Sequence, residues 1–148
     1  MTRSRIGLIA GGVLVAMQLI PLPRTNPPVE SALPAPPELQ AILDRSCMNC
    51  HSHATTWPWY AYVAPASWLV VYDVHEGREN LNLSKWGAYP PDRQRKKARA
   101  MWEEVEEGAM PLPPYLLLHP EAKLTDAEKA TLRAWSEARV RELEAAGS

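Results

Sequence analysis

Both cysteines of the chain and one of its four histidines fall in five consecutive residues, Cys47-Met48-Asn49-Cys50-His51. Cys-x-x-Cys-His is the attachment signal for a covalently bound c-type haem. In a short helical segment, residues three apart share a face, with Cβ atoms about 5–6 Å apart. That spacing suits two thiols adding to the two vinyl groups on one side of a porphyrin. His51 can then turn its imidazole under the iron as the proximal ligand. Other uses of the cysteines fit less well. A thioredoxin-like pair wants a βαβ setting, which the chain lacks. A zinc site needs two more ligands, and His51 and His53 crowd Cys50 too closely to supply them. A disulfide leaves the adjacent histidine unexplained. The expected cofactor is therefore one covalent haem c with its iron.

Met110 is the leading candidate for the sixth iron ligand, since a thioether opposite histidine raises the reduction potential. Pro111, Pro113 and Pro114 stiffen the loop that carries it. Met48 lies inside the attachment motif, and Met101 falls on an apolar helical stripe. His53, His75 and His119 are the rivals. Trp57 and Trp59, in the aromatic stretch 52–64, are expected to wall one edge of the haem, with a ring N–H donating to a propionate; ordinary core packing is the alternative.

Helices must position these groups. Leu39, Ile42, Leu43 and Cys47 recur at helical spacing after Pro37, so a first helix leads into the motif. A second runs from Pro65 to about Asn80, with Trp68, Leu69, Tyr72 and His75 sharing a face and Gly77 weakening the pattern. A third starts at Pro91, buries Ala98, Met101, Trp102 and Val105, and ends at Gly108. Its basic residues precede its acidic ones, against the helix dipole, and Arg99 can meet Glu103. The last opens on a capping box, Thr125-Asp126-Ala127-Glu128, and buries Leu132, Trp135 and Leu143. No stretch reads as a strand, and the fold class is all-α.

Ahead of this lies an apolar run, Ile6 to Ile20, behind Arg3 and Arg5. It reads as an export signal or an anchor. No small-residue cleavage site follows it, so the expectation is a retained anchor helix within 1–22, although a span usually takes ~20 residues. Residues 23–37 read as a proline-rich tether, and 38–148 as the haem domain. Stretch 1–29 holds three basic residues and no acidic ones, leaving 13 basic against 17 acidic groups beyond it. That balance argues against a nucleic-acid partner.

Several segments together resemble the bacterial haem-binding domain family. They are residues 47–60, Ala64-Pro65-Ala66-Ser67-Trp68-Leu69-Val70, Asp73-Val74 with Glu76-Gly77-Arg78, and Asn82-Leu83-Ser84-Lys85-Trp86. Gly108-Ala109-Met110-Pro111-Leu112-Pro113, Tyr115, His119-Pro120, Leu124-Thr125 and Trp135 extend the likeness, so that it spans about 44–136. The resemblance implies a cytochrome-c-like helical fold, thioether anchors at Cys47 and Cys50, and His51 as proximal ligand. The expected function is a monohaem c-type cytochrome, not an enzyme, carrying single electrons at the outer face of the bacterial inner membrane. Its partners would be transient redox proteins and, through the N-terminus, the membrane. The alternative is a haem-based gas sensor or accessory domain with a displaceable sixth ligand. A peroxidase-like activity needs an open iron, and no distal acid–base pair stands out.

Overall fold

The computed structural model describes residues 2–146. Seven α-helices follow in order: α1 (Arg3–Gln18), α2 (Pro37–Ser46), α3 (Met48–His51), α4 (Ala66–Asn80), α5 (Pro91–Glu106), α6 (Pro113–Leu116) and α7 (Asp126–Ala146). Short 3-10 turns cover Trp59–Tyr62, Leu83–Ala88 and Pro120–Ala122. No strand occurs among the described residues.

The core forms where α2, α5 and α7 meet. Leu39, Ile42 and Leu43 come from α2, Ala98, Met101 and Val105 from α5, and Leu132 from α7. Trp86, only 1% exposed, fills the centre from the 3-10 turn after α4. Its ring lies 5.9 Å from that of Trp135 and 6.3 Å from that of Tyr89. The α5–α7 contact runs antiparallel. Arg139 donates to Gln94 at 2.7 Å, the Ser136 hydroxyl donates to the Ala98 carbonyl, and the Arg133 guanidinium stands 5.5 Å over the Trp102 ring. Ala98 is fully buried at this contact. Arg99 pairs with Glu144 on α7 at 3.5 Å, not with Glu103 on its own helix.

Two helix ends follow from local sequence. Gly108 takes a positive φ of 76°, closing α5 as expected of a glycine after the last turn. At α7, the Thr125 amide and hydroxyl both donate to the Glu128 carboxylate at 2.9 Å, and the Glu128 amide returns a bond to the Thr125 hydroxyl. Glu128 also reaches Arg45 of α2 at 2.7 Å, so a local cap doubles as an interhelical clamp.

The N-terminal expectation needs correction. The apolar run does form a helix, but α1 has 16 residues and buries none of them. No helix among the described residues is long and apolar enough to cross a membrane. Sixteen residues rise only ~24 Å, short of a ~30 Å hydrocarbon core. The end of α1 is tied instead to protein. Gln18 donates to the Ala64 carbonyl at 3.3 Å and accepts from the Ala64 amide at 3.0 Å.

The proline-rich stretch after α1 is extended and lies along the domain as a strap. Arg24 donates to the Ala61 carbonyl at 3.2 Å, and Asn26 to the Thr55 carbonyl at 2.8 Å. The Glu30 and Ser31 amides both bond the Ser84 carbonyl, and the Leu33 amide bonds the Leu83 carbonyl at 2.9 Å. Leu33 itself enters the core. The strap passes so near Gly87 that a Cβ there would lie 2.0 Å from the Ser31 hydroxyl.

The Arg45 hydrogen bond, then the Thr125 amide, hold the Glu128 carboxyl down from 4.5 to about 2. A carboxyl depressed on folding stabilises the fold fully above its unfolded pKa, and that stability is lost as pH falls through the folded value. Thermal melts of Glu128→Gln are therefore expected to be flatter between pH 5 and 2 than those of the parent, and lower at neutral pH. Parallel acid limbs in the two proteins would contradict the clamp.

Candidate functional site: a haem cavity

A cavity of about 470 Å³ opens between α3, α4, α5 and the loop after α5. Its size falls within the ~300–1,000 Å³ usual for cofactor pockets. Cys47, Cys50, His51 and Met110 all line it, so four of the six site residues expected from sequence share one chamber.

The motif sits where α2 hands over to α3. Cys47 breaks helical geometry at φ -129°, ψ -40°, and its carbonyl accepts from the His51 amide at 3.0 Å, starting the short α3 turn. Neither thiol is in a disulfide. Burial, reinforced by the neighbouring Cys50, pushes the Cys47 thiol up to about 12. Burial and then Asp73 push Cys50 up to about 11. Both are therefore protonated thiols at neutral pH.

Two backbone carbonyls at the end of α4 fix His51. Its Nδ1 lies 2.9 Å from the Gly77 oxygen and 3.0 Å from the Leu81 oxygen. A carbonyl only accepts, so Nδ1 carries the ring proton and Nε2 is left with its lone pair. Burial lowers the imidazole pKa, against the opposing pull of the two carbonyls. The ring is thus held neutral, in the tautomer that ligates metal through Nε2.

Gly77 makes this contact available. A Cβ at that position would stand 2.8 Å from the Cys50 oxygen, so only glycine lets α4 lie against α3. The helix carries small or β-branched residues on that side, burying Ser67, Val71, Val74 and Gly77. Leu69 and Tyr72, expected to share one face with Trp68, are 57% and 60% exposed, off the side that meets α3. Bulk there would have kept the helices apart.

Met110 reaches the cavity from the loop behind α5, where its amide donates to the Glu104 carbonyl at 2.9 Å. The same loop is tied to the attachment motif, for Asn49 donates to the Tyr115 hydroxyl at 3.0 Å. Tyr115 stacks on His119 at 4.3 Å, and His119 Nε2 meets the Tyr60 hydroxyl at 2.6 Å. The histidine rivals are committed elsewhere. His119 Nδ1 pairs with Glu121 at 3.0 Å. His53 is buried, with Nδ1 on the Pro28 carbonyl at 2.8 Å and Nε2 accepting from Asn82 at 2.9 Å. His75 is exposed beside Glu79.

Trp57 and Trp59 do not line the cavity. The 3-10 turn after Pro58 throws Trp59 out to 77% exposure, edge-on to Tyr60. Tyr72 and Tyr115 border the chamber in their place. Sequence reading missed them, along with Gly77, Asp73 and Lys97. Gly77 inside a helical pattern was the one visible signal, a residue whose only merit is its missing side chain.

The lining suits a porphyrin: mostly apolar surface, two thiols three residues apart, and an imidazole with a bare Nε2. In addition the buried Ser46 hydroxyl, which lines the cavity, has no hydrogen-bond partner. Gly77→Ala is expected to cost roughly 1–3 kcal/mol of stability, as overpacking usually does, and to weaken haem retention by displacing the Cys50 backbone. Denaturant melts and the haem-to-protein absorbance ratio would check both; an Ala variant as stable and as haem-loaded as the parent would refute the close approach.

Comparison with known proteins agrees with this chemistry. The chain is 30% identical over 98 residues to the cytochrome c peroxidase Ccp of Escherichia coli (strain K12), a match covering 64% of this chain. It spans only about a fifth of that relative's length, 21%. No solved structure matches it. The profile of the haem-binding domain family matches residues 12–138, most of the chain, and the protein with its thiol-lined cavity is a member of that family.

Proposed function

We propose that the protein is a monohaem c-type cytochrome that carries single electrons on the extracytoplasmic side of a bacterial cell. Cys47 and Cys50 would bind the haem covalently, and His51 and Met110 would hold its iron. The observation that carries this reading is the pairing of His51, its Nδ1 proton pinned by two carbonyls, with Met110 in one cavity. Meanwhile each other histidine is engaged elsewhere or exposed. When bound, haem supplies a one-electron iron couple.

The chain's own residues do the rest. The Gly77 and Leu81 carbonyls keep His51 in one tautomer and orientation, which raises its basicity as a ligand. Leu112, Leu124, Leu132, Met101 and Val105 line the cavity and exclude water. The Glu104 carbonyl and the Asn49–Tyr115 bond hold the Met110 loop in place before any change of iron charge. With the iron held by both His51 and Met110, the haem would exchange electrons rather than bind a substrate. Thiol addition to haem outside the cytoplasm and the basic-then-apolar N-terminus both favour an extracytoplasmic location. Its partners would be redox proteins docking weakly and briefly.

Intact mass should show one covalent haem, and Cys47→Ala with Cys50→Ala should abolish it. The oxidised parent should show a weak far-red sulfur-to-iron absorption band that Met110→Ala lacks. A band unchanged by that substitution would remove Met110 from the iron. Rapid carbon monoxide binding by the reduced parent would favour the ligand-sensing alternative.

A further inference from the structure

The charges lining the cavity are unevenly placed. Asp73, Glu76 and Glu104 contribute three carboxyls, while Lys97 is the only cation among the described lining residues. Lys97, Met101 and Glu104 recur on one face of α5, at i, i+4 and i+7. Lys97 therefore stands toward the start of that face. Its ammonium donates to the Asn80 carbonyl, at the end of the helix that orients His51. An ammonium has three donors, so that bond leaves it two.

A haem carries its two propionates on the edge away from its vinyls. Thioethers at Cys47 and Cys50 would fix the vinyl edge against α3, turning the propionates to another wall. The three carboxylates that line the cavity would repel them. We infer that Lys97 is the binding residue for a haem propionate, an ammonium–carboxylate contact that sets the cofactor's rotation in the cavity and holds a positive charge beside it. The inference rests on the haem reading above and extends it to the carboxylate end of the ligand.

Burial, with help from Arg93, already lowers the lysine's pKa, as expected of a cation held partly out of water without an acidic partner of its own. Lys97 is half-buried and lines the cavity, as a long side chain with an apolar stem and a charged head can. The bland alternative is that Lys97 merely caps the carbonyl end of α4. A cap and a propionate partner differ in what they do to the cofactor, and that difference can be measured.

The full chain with covalent haem is compared with Lys97→Met, Lys97→Gln and Lys97→Arg. Resonance Raman spectra report the propionate bending band, and redox titration gives the midpoint potential. Lys97→Met and Lys97→Gln should both shift the band and lower the potential, because losing a positive charge beside the haem favours ferric iron. Lys97→Arg should keep both near the parent values. Glutamine retains an N–H donor for Asn80, so a shift shared by Met and Gln separates charge from capping. A propionate band unmoved in both neutral variants overturns the contact, even if the potential falls. A parent protein without covalent haem would sink the haem reading itself, and this proposal with it.

Discussion

The site depends on a hydrogen bond that involves neither cysteine nor iron. His51 Nδ1 faces the carbonyls of Gly77 and Leu81, where α4 runs out. The C-terminal carbonyls of a helix carry its negative pole. The Gly77 carbonyl already accepts from the Leu81 amide at 2.8 Å, and it and the Leu81 carbonyl both face the ring N–H and so decide the tautomer. For this to happen α4 must come within touching distance of α3, and a methyl group on Gly77 would forbid it. One missing side chain thus fixes the interhelical spacing, the spacing fixes the proton on Nδ1, and that proton leaves the Nε2 lone pair bare.

The rest of the fold keeps α3 and α4 from parting. Arg78, one residue after Gly77, spreads its guanidinium over four acceptors. It donates to the Ser52 carbonyl at 2.7 Å, the Thr55 hydroxyl at 2.8 Å, the Thr25 carbonyl at 2.8 Å and the Asn26 side chain at 3.0 Å. A planar fork of five N–H groups can serve so many partners where an ammonium cannot. The strap is joined to the segment just after the motif by this residue and by His53, whose ring bridges Pro28 and Asn82. Asn82 is itself oriented by the Ser84 amide at 3.0 Å, so its NH₂ must point at His53 Nε2. That chain of bonds engages both ring nitrogens of His53, which leaves neither for coordination.

What sequence made legible was local. The attachment motif, the capping box at Thr125–Glu128 and the glycine stop at Gly108 each rest on residues within one or two turns. The three long helices of the haem domain were legible too, since apolar periodicity in α5 and α7 is strong. What escaped was set by contacts far apart in sequence. The buried face of α4 is rotated from the expected one because it meets α3 through small residues, and a rule that buries the largest apolar side chains selects Leu69 and Tyr72 instead. Trp59 was misplaced for a similar reason: aromatic clustering beside a haem motif says nothing of which way a 3-10 turn points. The tether became a strap through backbone amides, which no side-chain pattern records. The apolar N-terminal run was read by composition, but its length falls short of a span and Gln18 is bonded to Ala64.

The two faces of the cavity are mechanically joined. Asn49 lies between the two cysteines, and its side chain bonds both the Tyr115 hydroxyl on the Met110 side and the Thr56 amide beyond α3, each at 3.0 Å. Tyr115 stacks on His119, and His119 returns to Tyr60 at the far end of the same segment. The segment that follows Met110, through Tyr115 of α6 and His119 beyond it, is therefore fastened at two points to the peptide that bears His51. A carrier of single electrons gains from such fastening, because ligands that stay put when the iron changes charge keep reorganisation small. A ligand-binding haem protein would need the opposite, a distal loop free to swing aside. The hydrogen bonds between the two faces thus favour the carrier on grounds separate from the identity of the sixth ligand.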